Sequence, residues 1–361
     1  MLYILSISVP TPRIIMAITP KERELAMLEG GKLDRMPIWQ INGIVAAKVM
    51  GYEWKDVRFD AKVSSKVISE FSRKSGTDIL GQGCVEPNSY LMDLPGVEVK
   101  LTDDNYANVM THYFAEPEDI DKKEFFDPTK KKDCPWLWKG LLGKTTDLAS
   151  KEKDFIIQQV CWSVFTTAGF LRNPETMLMD IATEPELAHK AVKRAAEFVD
   201  SIMCAGLSEG CGGAYLADPV ASGSLIDEAT FRAFNLDHLK RLMKGYKSKF
   251  GVASYLHVCG ETAPVAKPIS ETGAALFSFD FMNDPAAIRK LTGDKIILAG
   301  NLNPMDVIWQ GNPQKVIDAS KKFIDAAGKK AVLATGCETP RDTPIENLQA
   351  MVTAVEKYAK Y

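Results

Sequence analysis

The sequence predicts an α/β protein built on a (β/α)8 barrel, with an insertion between its early strands. The chain contains eight short apolar runs, and helical patterns follow them throughout the second half. Several runs are continuously apolar, which is typical of parallel strands covered on both faces. A doubly wound open sheet is the alternative, but no glycine-rich phosphate-binding turn follows an early strand. The predicted strands are 36–41, 77–81, 154–160, 212–217, 252–257, 274–280, 295–300 and 331–335.

The helices have recognisable starts. Thr19 followed by Pro20 predicts an N-cap with proline at the first helical position, and Thr343 with Pro344 predicts the start of the last helix in the same way. Strand and helix then alternate as in βαβ units. The clearest predicted helices are 175–206, 229–249, 262–272, 284–292, 313–327 and 343–359.

Two segments fall outside this alternation. Residues 84–153 contain turns, charges and the basic run 130–132, and we interpret them as an insertion that forms a hairpin and a cap over the barrel mouth. Residues 1–15 are mildly apolar but lack the basic region and cleavage site of a secretory signal. We interpret them as a disordered or mis-assigned N-terminal tail, which leaves residues 16–361 as a single catalytic domain.

The composition excludes several classes of protein. The 361 residues carry 44 Lys and Arg against 47 Asp and Glu, a net charge of −3, so the basic excess of a nucleic-acid binder is missing. No apolar run reaches the length of a membrane-spanning helix. Seven cysteines are an odd number at low density, which indicates a reducing compartment, and we expect a cytoplasmic protein.

One strand end carries the strongest chemical signal, the run Tyr255-Leu-His257-Val-Cys259-Gly260. His257 and Cys259 are two residues apart in an extended segment and therefore point to the same side. Cys337 follows another apolar strand, and the strand ends of a barrel meet at one rim. Three such ligands with an open fourth position are typical of catalytic zinc. The alternative is a hydrogen-bonded core histidine beside small buried thiols.

The motifs around these ligands resemble the uroporphyrinogen decarboxylase superfamily, and within it the zinc-dependent corrinoid methyltransferases. The resemblance covers about residues 16–361. It implies a (β/α)8 barrel, zinc bound by His257, Cys259 and Cys337, and a small corrinoid protein that docks over the barrel mouth. The matching segments are 19–23, 34–37, 218–222, 257–260, 300–304 and 336–340.

Two departures from the family pattern decide between its activities. Porphyrinogen decarboxylases carry an arginine-rich segment where this chain has 40–43, Gln-Ile-Asn-Gly, which disfavours a decarboxylase. Coenzyme M enzymes tend to have glycine after the second cysteine, where this chain has Glu338. We therefore expect transfer of a methyl group from a methoxylated aromatic to the corrinoid, with methylcobamide:coenzyme M methyl transfer as the first alternative. A barrel that only binds a corrinoid protein, without catalysis, is the non-enzymatic alternative.

The remaining candidates lie at the other predicted strand ends. Asp280 is the candidate fourth zinc ligand, with a helix cap or a partner of His257 as its alternative role. Glu338 and Glu86 are weaker candidates for the same position. The expected substrate contacts are Tyr215, Gln40 and Trp39, and the expected corrinoid contacts are Asn301, Asn303 and Asp218.

Overall fold

The protein is a barrel of parallel strands surrounded by helices. A computed structural model describes residues 18–81 and 83–361, so the predicted tail 1–15 lies outside the described residues. Seven strands form one parallel sheet in the order β1-β9-β8-β7-β6-β5-β4, and a separate antiparallel hairpin contains β2 and β3. The strands are β1 (Ile38–Trp39), β2 (Val99–Lys100), β3 (Asn108–Val109), β4 (Gln158–Trp162), β5 (Gly213–Ala217), β6 (Ala253–Val258), β7 (Leu276–Phe279), β8 (Ile297–Leu302) and β9 (Ala331–Thr335).

The short segment 77–80 closes the sheet between its two edge strands. Leu80 forms a parallel bridge with Ile157, next to β4, and the amides of Asp78 and Ile79 donate to the carbonyl of Ile38 in β1. The Asp78 carboxylate also accepts the Ile38 amide at 2.8 Å. Segment 77–80 therefore occupies the second position of an eight-membered ring, which confirms the predicted (β/α)8 class. Seven of the eight predicted strands are observed as strands, and the predicted strand 77–81 is represented by this bridging segment.

The helices pack around the outside of this ring. Those of the described residues are α1 (Pro20–Glu29), α2 (Ile44–Val49), α3 (Trp54–Val57), α4 (Ala61–Ser75), α5 (Asp119–Lys122), α6 (Pro135–Lys139), α7 (Leu141–Lys151), α8 (Val164–Arg172), α9 (Pro174–Thr183), α10 (Pro185–Ser208), α11 (Glu228–Phe231), α12 (Asp237–Phe250), α13 (Ala266–Ile269), α14 (Pro285–Thr292), α15 (Pro313–Ala327) and α16 (Ile345–Tyr358). None of them is both long and apolar enough to cross a membrane.

Local sequence explains where these helices begin. Thr19 and Glu22 form a reciprocal capping box at the start of α1, as predicted. The predicted helix 175–206 is instead two helices, because Pro185 ends the hydrogen-bond ladder of α9 and opens α10. The predicted cap at Thr343 is wrong, since α16 begins at Ile345 without a side-chain cap.

The predicted insertion 84–153 contains the hairpin β2–β3 and three helices, α5, α6 and α7. The hairpin is held by its flanks. Glu86 accepts the Ala107 amide at 3.1 Å, Asn88 donates to the Ala107 carbonyl at 2.9 Å, and Arg58 donates to the Thr102 carbonyl. These contacts fix the end of the hairpin next to the carboxyl ends of the strands. The division into one catalytic domain with an inserted cap stays a prediction.

The inward-facing residues of the strands form their own core, separate from the larger core between sheet and helices. Every second residue of a strand points inward, so each barrel strand contributes one or two side chains to the interior, each in a different layer. The buried members of the interior core are Trp39, Ile41, Ile79, Val160, Tyr215, Ala217, Tyr255, Leu276, Ile297, Ala299, Val332 and Ala334.

Helix α1 places one carboxyl group in this region. Glu24 is fully buried, and its Oε1 accepts the Tyr255 hydroxyl at 2.6 Å and the Gln158 amide at 3.1 Å. Burial raises the pKa of the Glu24 carboxyl from 4.5 to about 8, although both hydrogen bonds oppose the rise. The folded protein therefore keeps a proton on Glu24 at neutral pH, where the unfolded chain has lost it.

A raised carboxyl pKa makes stability fall as pH rises. Between about pH 4.5 and 8 the folded state holds one proton more than the unfolded state, so the Glu24 contribution falls by about 1.4 kcal/mol per pH unit and levels off above pH 8. We expect Glu24→Gln to flatten the pH dependence of the free energy of unfolding, measured by urea denaturation from pH 5 to pH 8.5. Glu29→Gln, which removes a carboxylate from the exposed side of the same helix, should leave the slope unchanged. Equal slopes for all three proteins would contradict a proton held by Glu24.

Candidate metal centre

The alternation of β6 places two of the three predicted ligands inside the barrel. Tyr255 belongs to the interior core, so His257 and Cys259, two and four residues further on, face inward as well. Cys337 arrives from the other side of the ring, two residues after the end of β9. Because β6 and β9 are parallel members of one closed sheet, both ligand segments lie at its carboxyl rim.

The three side chains meet in one cluster. One ligand atom each from His257, Cys259 and Cys337 lies within 4.8 Å of the other two, and the Cys337 sulfur is 3.9 Å from Nε2 of His257. Ligand atoms of a tetrahedral zinc site are roughly 3.5–3.8 Å apart, given bonds of about 2.3 Å to sulfur and 2.0 Å to nitrogen. Small side-chain shifts would bring this donor set to that spacing, so the residues fit a zinc ion.

Ser278 supports the histidine from behind. Its Oγ lies 3.0 Å from Nδ1 of His257, and the register of β7 on β6 pairs the two residues directly. A hydrogen bond at Nδ1 leaves Nε2, the nitrogen nearest the Cys337 sulfur, for a metal ion. The expected orientation of His257 by Asp280 is wrong, because Ser278 occupies that position.

The two thiols influence each other. The hydrogen bond from Cys337 lowers the pKa of the Cys259 thiol, whereas the neighbouring Cys259 sulfur and burial hold the pKa of Cys337 well above its usual range. Without a cation the pair therefore keeps one proton tightly. A divalent ion removes this conflict because it binds both sulfurs as thiolates.

Asp280 does not point its oxygens at the cluster. Its Oδ2 accepts the amide of Gly260 at 2.9 Å, and its Oδ1 accepts the amide of Phe281 at 2.7 Å. Both oxygens thus hold backbone of the turns that follow β6 and β7. Asp280 is not among the three residues whose ligand atoms cluster, and its contact with the Gly260 amide holds the residue after Cys259, so its role as a fourth ligand stays a prediction. Among the weaker candidates, Glu86 binds backbone amides of the hairpin flank and Glu338 that of Gly43.

Three of the predicted corrinoid contacts use their polar groups in hydrogen bonds within the protein. Asp218 is fully buried and accepts hydrogen bonds from Thr166 and Asn235. A fully buried carboxylate does not reach a corrinoid at the mouth, which argues against its expected corrinoid contact. Asn303 caps the turn that follows it by accepting two backbone amides, and Asn301 donates to two backbone carbonyls, those of 280 and 283. Both amide groups thus hold backbone of the adjacent turns, and their contact with a corrinoid stays a prediction.

Gln40 faces the wrong way for a substrate contact. In β1 the interior residue is Trp39, so the next residue points outward to the helices. The Gln40 amide donates to the carbonyls of Ser75 and Leu348, which end α4 and lie within α16. Its role is to join two helices to the sheet.

Aromatic side chains form the floor next to the cluster. Trp39 and Tyr215 are fully buried with their rings 5.0 Å apart in an edge-on contact. Burial raises the pKa of Tyr215 far above its usual value, and the nearby sulfurs of Cys337 and Cys259 add to the rise. Trp162, which ends β4, is partly exposed, and its Nε1 donates to Asn88 at 2.8 Å. The two buried rings are therefore closed to solvent, whereas Trp162 at the end of β4 is partly exposed.

The sequence analysis did not predict the contact of Ser278 with His257 or the contacts of Glu338 with Gly43 and Tyr106. The signal for Ser278 was a polar residue within an apolar strand, one strand away from His257. The Glu338 carboxyl accepts the amide of Gly43 at 2.6 Å, and Tyr106 of the hairpin lies beside it. Burial raises the pKa of Glu338 to about 7, opposed first by a hydrogen bond from the Tyr106 side chain and then by the backbone amides of Gly43 and Ile44. Contacts between residues almost 300 positions apart leave no local signal.

Comparison with known proteins gives consistent results. The sequence profile of the uroporphyrinogen decarboxylase (URO-D) family matches residues 19–358. A methylated-thiol–coenzyme M methyltransferase of Methanosarcina mazei is 25% identical over 352 residues, covering 95% of this chain and 91% of that protein. A methylcobamide:CoM methyltransferase of the same organism is 27% identical over 354 residues, covering 94% and 98%. The solved structure of a methyltransferase from Methanosarcina mazei superposes with a TM-score of 0.78 at 20% identity, covering 94% and 99%, and shares the fold.

The cluster makes a direct prediction about metal content. We expect the purified protein to contain about one zinc ion per chain, and Cys259→Ser or Cys337→Ser to reduce this to less than about a tenth, because three protein ligands are the minimum for a stable site. Mass spectrometry of the metal content measures this. Cys204→Ser on α10 is the matched control, since Cys204 is a similarly accessible free thiol outside the cluster. Full zinc content in both cluster variants would contradict the assigned ligands.

Proposed function

Because the chain belongs to the uroporphyrinogen decarboxylase family, we propose that it is a zinc-dependent methyltransferase that moves a methyl group between a corrinoid protein and a small thiol. The observation that carries this proposal is the cluster of His257, Cys259 and Cys337 at the carboxyl rim of the barrel. Relatives named as methyltransferases align along nearly the whole chain, which supports the same class of reaction.

The cluster suits catalysis better than a structural role. A structural zinc site uses four protein ligands, whereas this one offers three side chains of the described residues. When bound there, zinc supplies Lewis acidity that stabilises an anionic sulfur or oxygen at neutral pH. The chain's own residues orient this chemistry: Ser278 fixes the His257 ring, and Asp280 fixes the turn after Cys259.

A thiol is the first candidate for the second substrate. Both named relatives are coenzyme M methyltransferases, and one has a methylated thiol as the other substrate in its name. The two cysteine ligands favour a sulfur substrate only indirectly, since thiolate-rich zinc sites lower the net positive charge and leave an added thiolate more nucleophilic. The choice of a thiol as the second substrate therefore rests mainly on the relatives.

A methoxylated aromatic is the second candidate, and two observations favour it. Glu338 stands where coenzyme M enzymes tend to have glycine. Trp162 presents a partly exposed ring at the barrel mouth, oriented through Asn88, on which an aromatic substrate would stack. Zinc would then stabilise the oxygen of the departing phenolate.

Decarboxylation of a porphyrinogen remains disfavoured. Its substrate carries several carboxylates, which require cationic side chains at the mouth. Two arginines of the described residues near the hairpin are already engaged. Arg58 binds the carbonyl of Thr102, and Arg341 lies 3.6 Å from both Glu53 and Asp104. A purely scaffolding barrel would not need three converging ligand side chains.

The free cysteines support the proposed location in a reducing compartment. All seven cysteines lie within the described residues and are free. Free thiols persist in reducing compartments, and two of these serve as ligands in the proposed site. We place the protein in the cytoplasm, with a cobamide-carrying protein as its partner.

A two-way assay tests the function. The zinc-loaded protein is incubated with methylcobalamin and a panel of thiols that includes coenzyme M, and separately with cob(I)alamin and a panel of methoxyarenes. Loss or gain of the methyl–cobalt absorption measures transfer in each direction. We expect thiol-dependent demethylation that falls more than about 100-fold in Cys337→Ser.

The outcomes separate the candidates. Transfer from methoxyarenes without transfer to thiols would establish the second candidate in place of the first. Transfer in neither direction, from a protein that retains its zinc, would overturn the proposed methyltransferase activity. Cys204→Ser serves as the control for loss of a thiol outside the site.

A further inference from the structure

The loop that carries Cys337 is attached to the loop that follows β1. Glu338 accepts the amide of Gly43 at 2.6 Å, at the start of α2. The next residue, Thr339, donates its amide to the Ile41 carbonyl at 3.0 Å and its hydroxyl to Asn42 Oδ1 at 2.6 Å. The ligand loop therefore has two successive anchors on one neighbouring loop.

The hairpin β2–β3 reaches the same point from above. Tyr106, between its strands, packs edge-on against Trp54 with the ring centres 5.3 Å apart. Its hydroxyl and Oε2 of Glu338 are both buried. The Tyr106 hydroxyl faces the carboxyl group, and a hydrogen bond between the two side chains opposes the rise in the pKa of Glu338.

Gly43 makes this arrangement possible. A Cβ atom at this position would lie 2.2 Å from the Tyr106 hydroxyl and 3.0 Å from Oε1 of Glu338. The first distance is far inside van der Waals contact, so any larger residue would force Tyr106 or Glu338 to move. The absence of a side chain at position 43 is therefore what lets the hairpin and the ligand loop meet.

We propose that Glu338 is a positioning residue for Cys337, and that the hairpin β2–β3 acts on the metal cluster through it. The inference rests on the metal cluster of the proposed function, but it concerns where Cys337 is held and not which methyl group is transferred. Glu338 follows Cys337 in the chain, and its carboxyl group accepts the Gly43 amide. Tyr106 packs beside this carboxyl group.

The same hairpin also fixes the substrate side of the site. Asn88 donates to the hairpin carbonyl at Ala107 and accepts the indole N–H of Trp162. One hairpin thereby holds an aromatic wall of the mouth through Asn88 and a metal-ligand loop through Glu338. A displaced hairpin disturbs both, so substrate affinity and metal affinity change together.

Zinc affinity measured by competition with a chromogenic chelator tests the positioning role without any turnover. We expect Glu338→Ala to weaken zinc binding by about tenfold or more, in the range typical of residues that orient a ligand. Glu338→Gln keeps an oxygen for the Gly43 amide and should stay within about threefold of wild type. Glu261→Ala is the matched control, because Glu261 is an exposed acid two residues from Cys259 whose loop is held through main-chain bonds.

A second pair of variants tests the path through the hairpin. Gly43→Ala touches no ligand, yet it should weaken zinc binding by about as much as Glu338→Ala, because its methyl group displaces Tyr106. Adding Tyr106→Phe removes the hydroxyl that collides and should restore most of the lost affinity, whereas Tyr106→Phe alone, which keeps the ring but loses the hydroxyl beside Glu338, should weaken zinc binding less than Gly43→Ala does. Thermal unfolding shows whether each variant is folded.

These results stand apart from the activity assay. Wild-type zinc affinity in folded Glu338→Ala, or no restoration in the double variant, would overturn the positioning role even if methyl transfer is intact. Absence of methyl transfer by a wild-type protein that binds zinc, together with the expected affinity changes, would overturn the proposed function and leave the positioning role in place.

Discussion

The register of β6 in the closed sheet determines whether a metal centre can exist in this protein. Tyr255, His257 and Cys259 share one face of the strand, so a shift by one residue would turn all three away from the interior. The lower end of that face is tied by the hydrogen bond from Tyr255 to the buried Glu24 of α1. Its upper end is tied by Ser278, which pairs with His257 across β7. Burying a carboxyl group costs desolvation free energy. A hydrogen bond from a buried carboxyl group to β6 is consistent with a strand whose register must stay fixed.

Most polar groups around the rim serve the turns between strands and helices. Asp218, Asp280, Asn301 and Asn303 all bind neighbouring backbone or side-chain groups and so satisfy buried donors and acceptors that would otherwise be costly. The ligand atoms of the cluster are different, because they converge on one another and gain little from protein partners. Among these residues the cluster is therefore the place where an incoming ion or substrate atom finds three converging ligand atoms.

The sequence predicted the barrel well because its signals are local. The seven strands and the segment 77–80 appear as apolar runs, α15 has its predicted bounds, and the spacing of His257 and Cys259 follows from strand alternation. Gln40 was misjudged because the face of a two-residue strand cannot be read without knowing which neighbour points inward. Asp218 and Asn303 were misjudged because a polar residue at a strand end serves a turn as readily as a ligand. The contact of Glu338 with Gly43 joins residues from opposite ends of the chain, so no local sequence pattern predicts this contact.

Cys337 lies further beyond its strand than the other two ligands: it is two residues past the end of β9, whereas His257 lies within β6 and Cys259 is the first residue after it. Its position depends on close approach from both sides. On one side a Cβ at Gly336 would lie 2.8 Å from the amide of Phe281 and 2.9 Å from Oδ1 of Asp280, so glycine there allows the loop to press against the turn that also fixes the residue after Cys259. On the other side Glu338 reaches Gly43. A glycine in each contact removes the side chain that would separate the two loops, so the ligand loop is held on both sides. In the proposed positioning role, Glu338 makes the residue that follows Cys337 part of the support of the candidate metal centre.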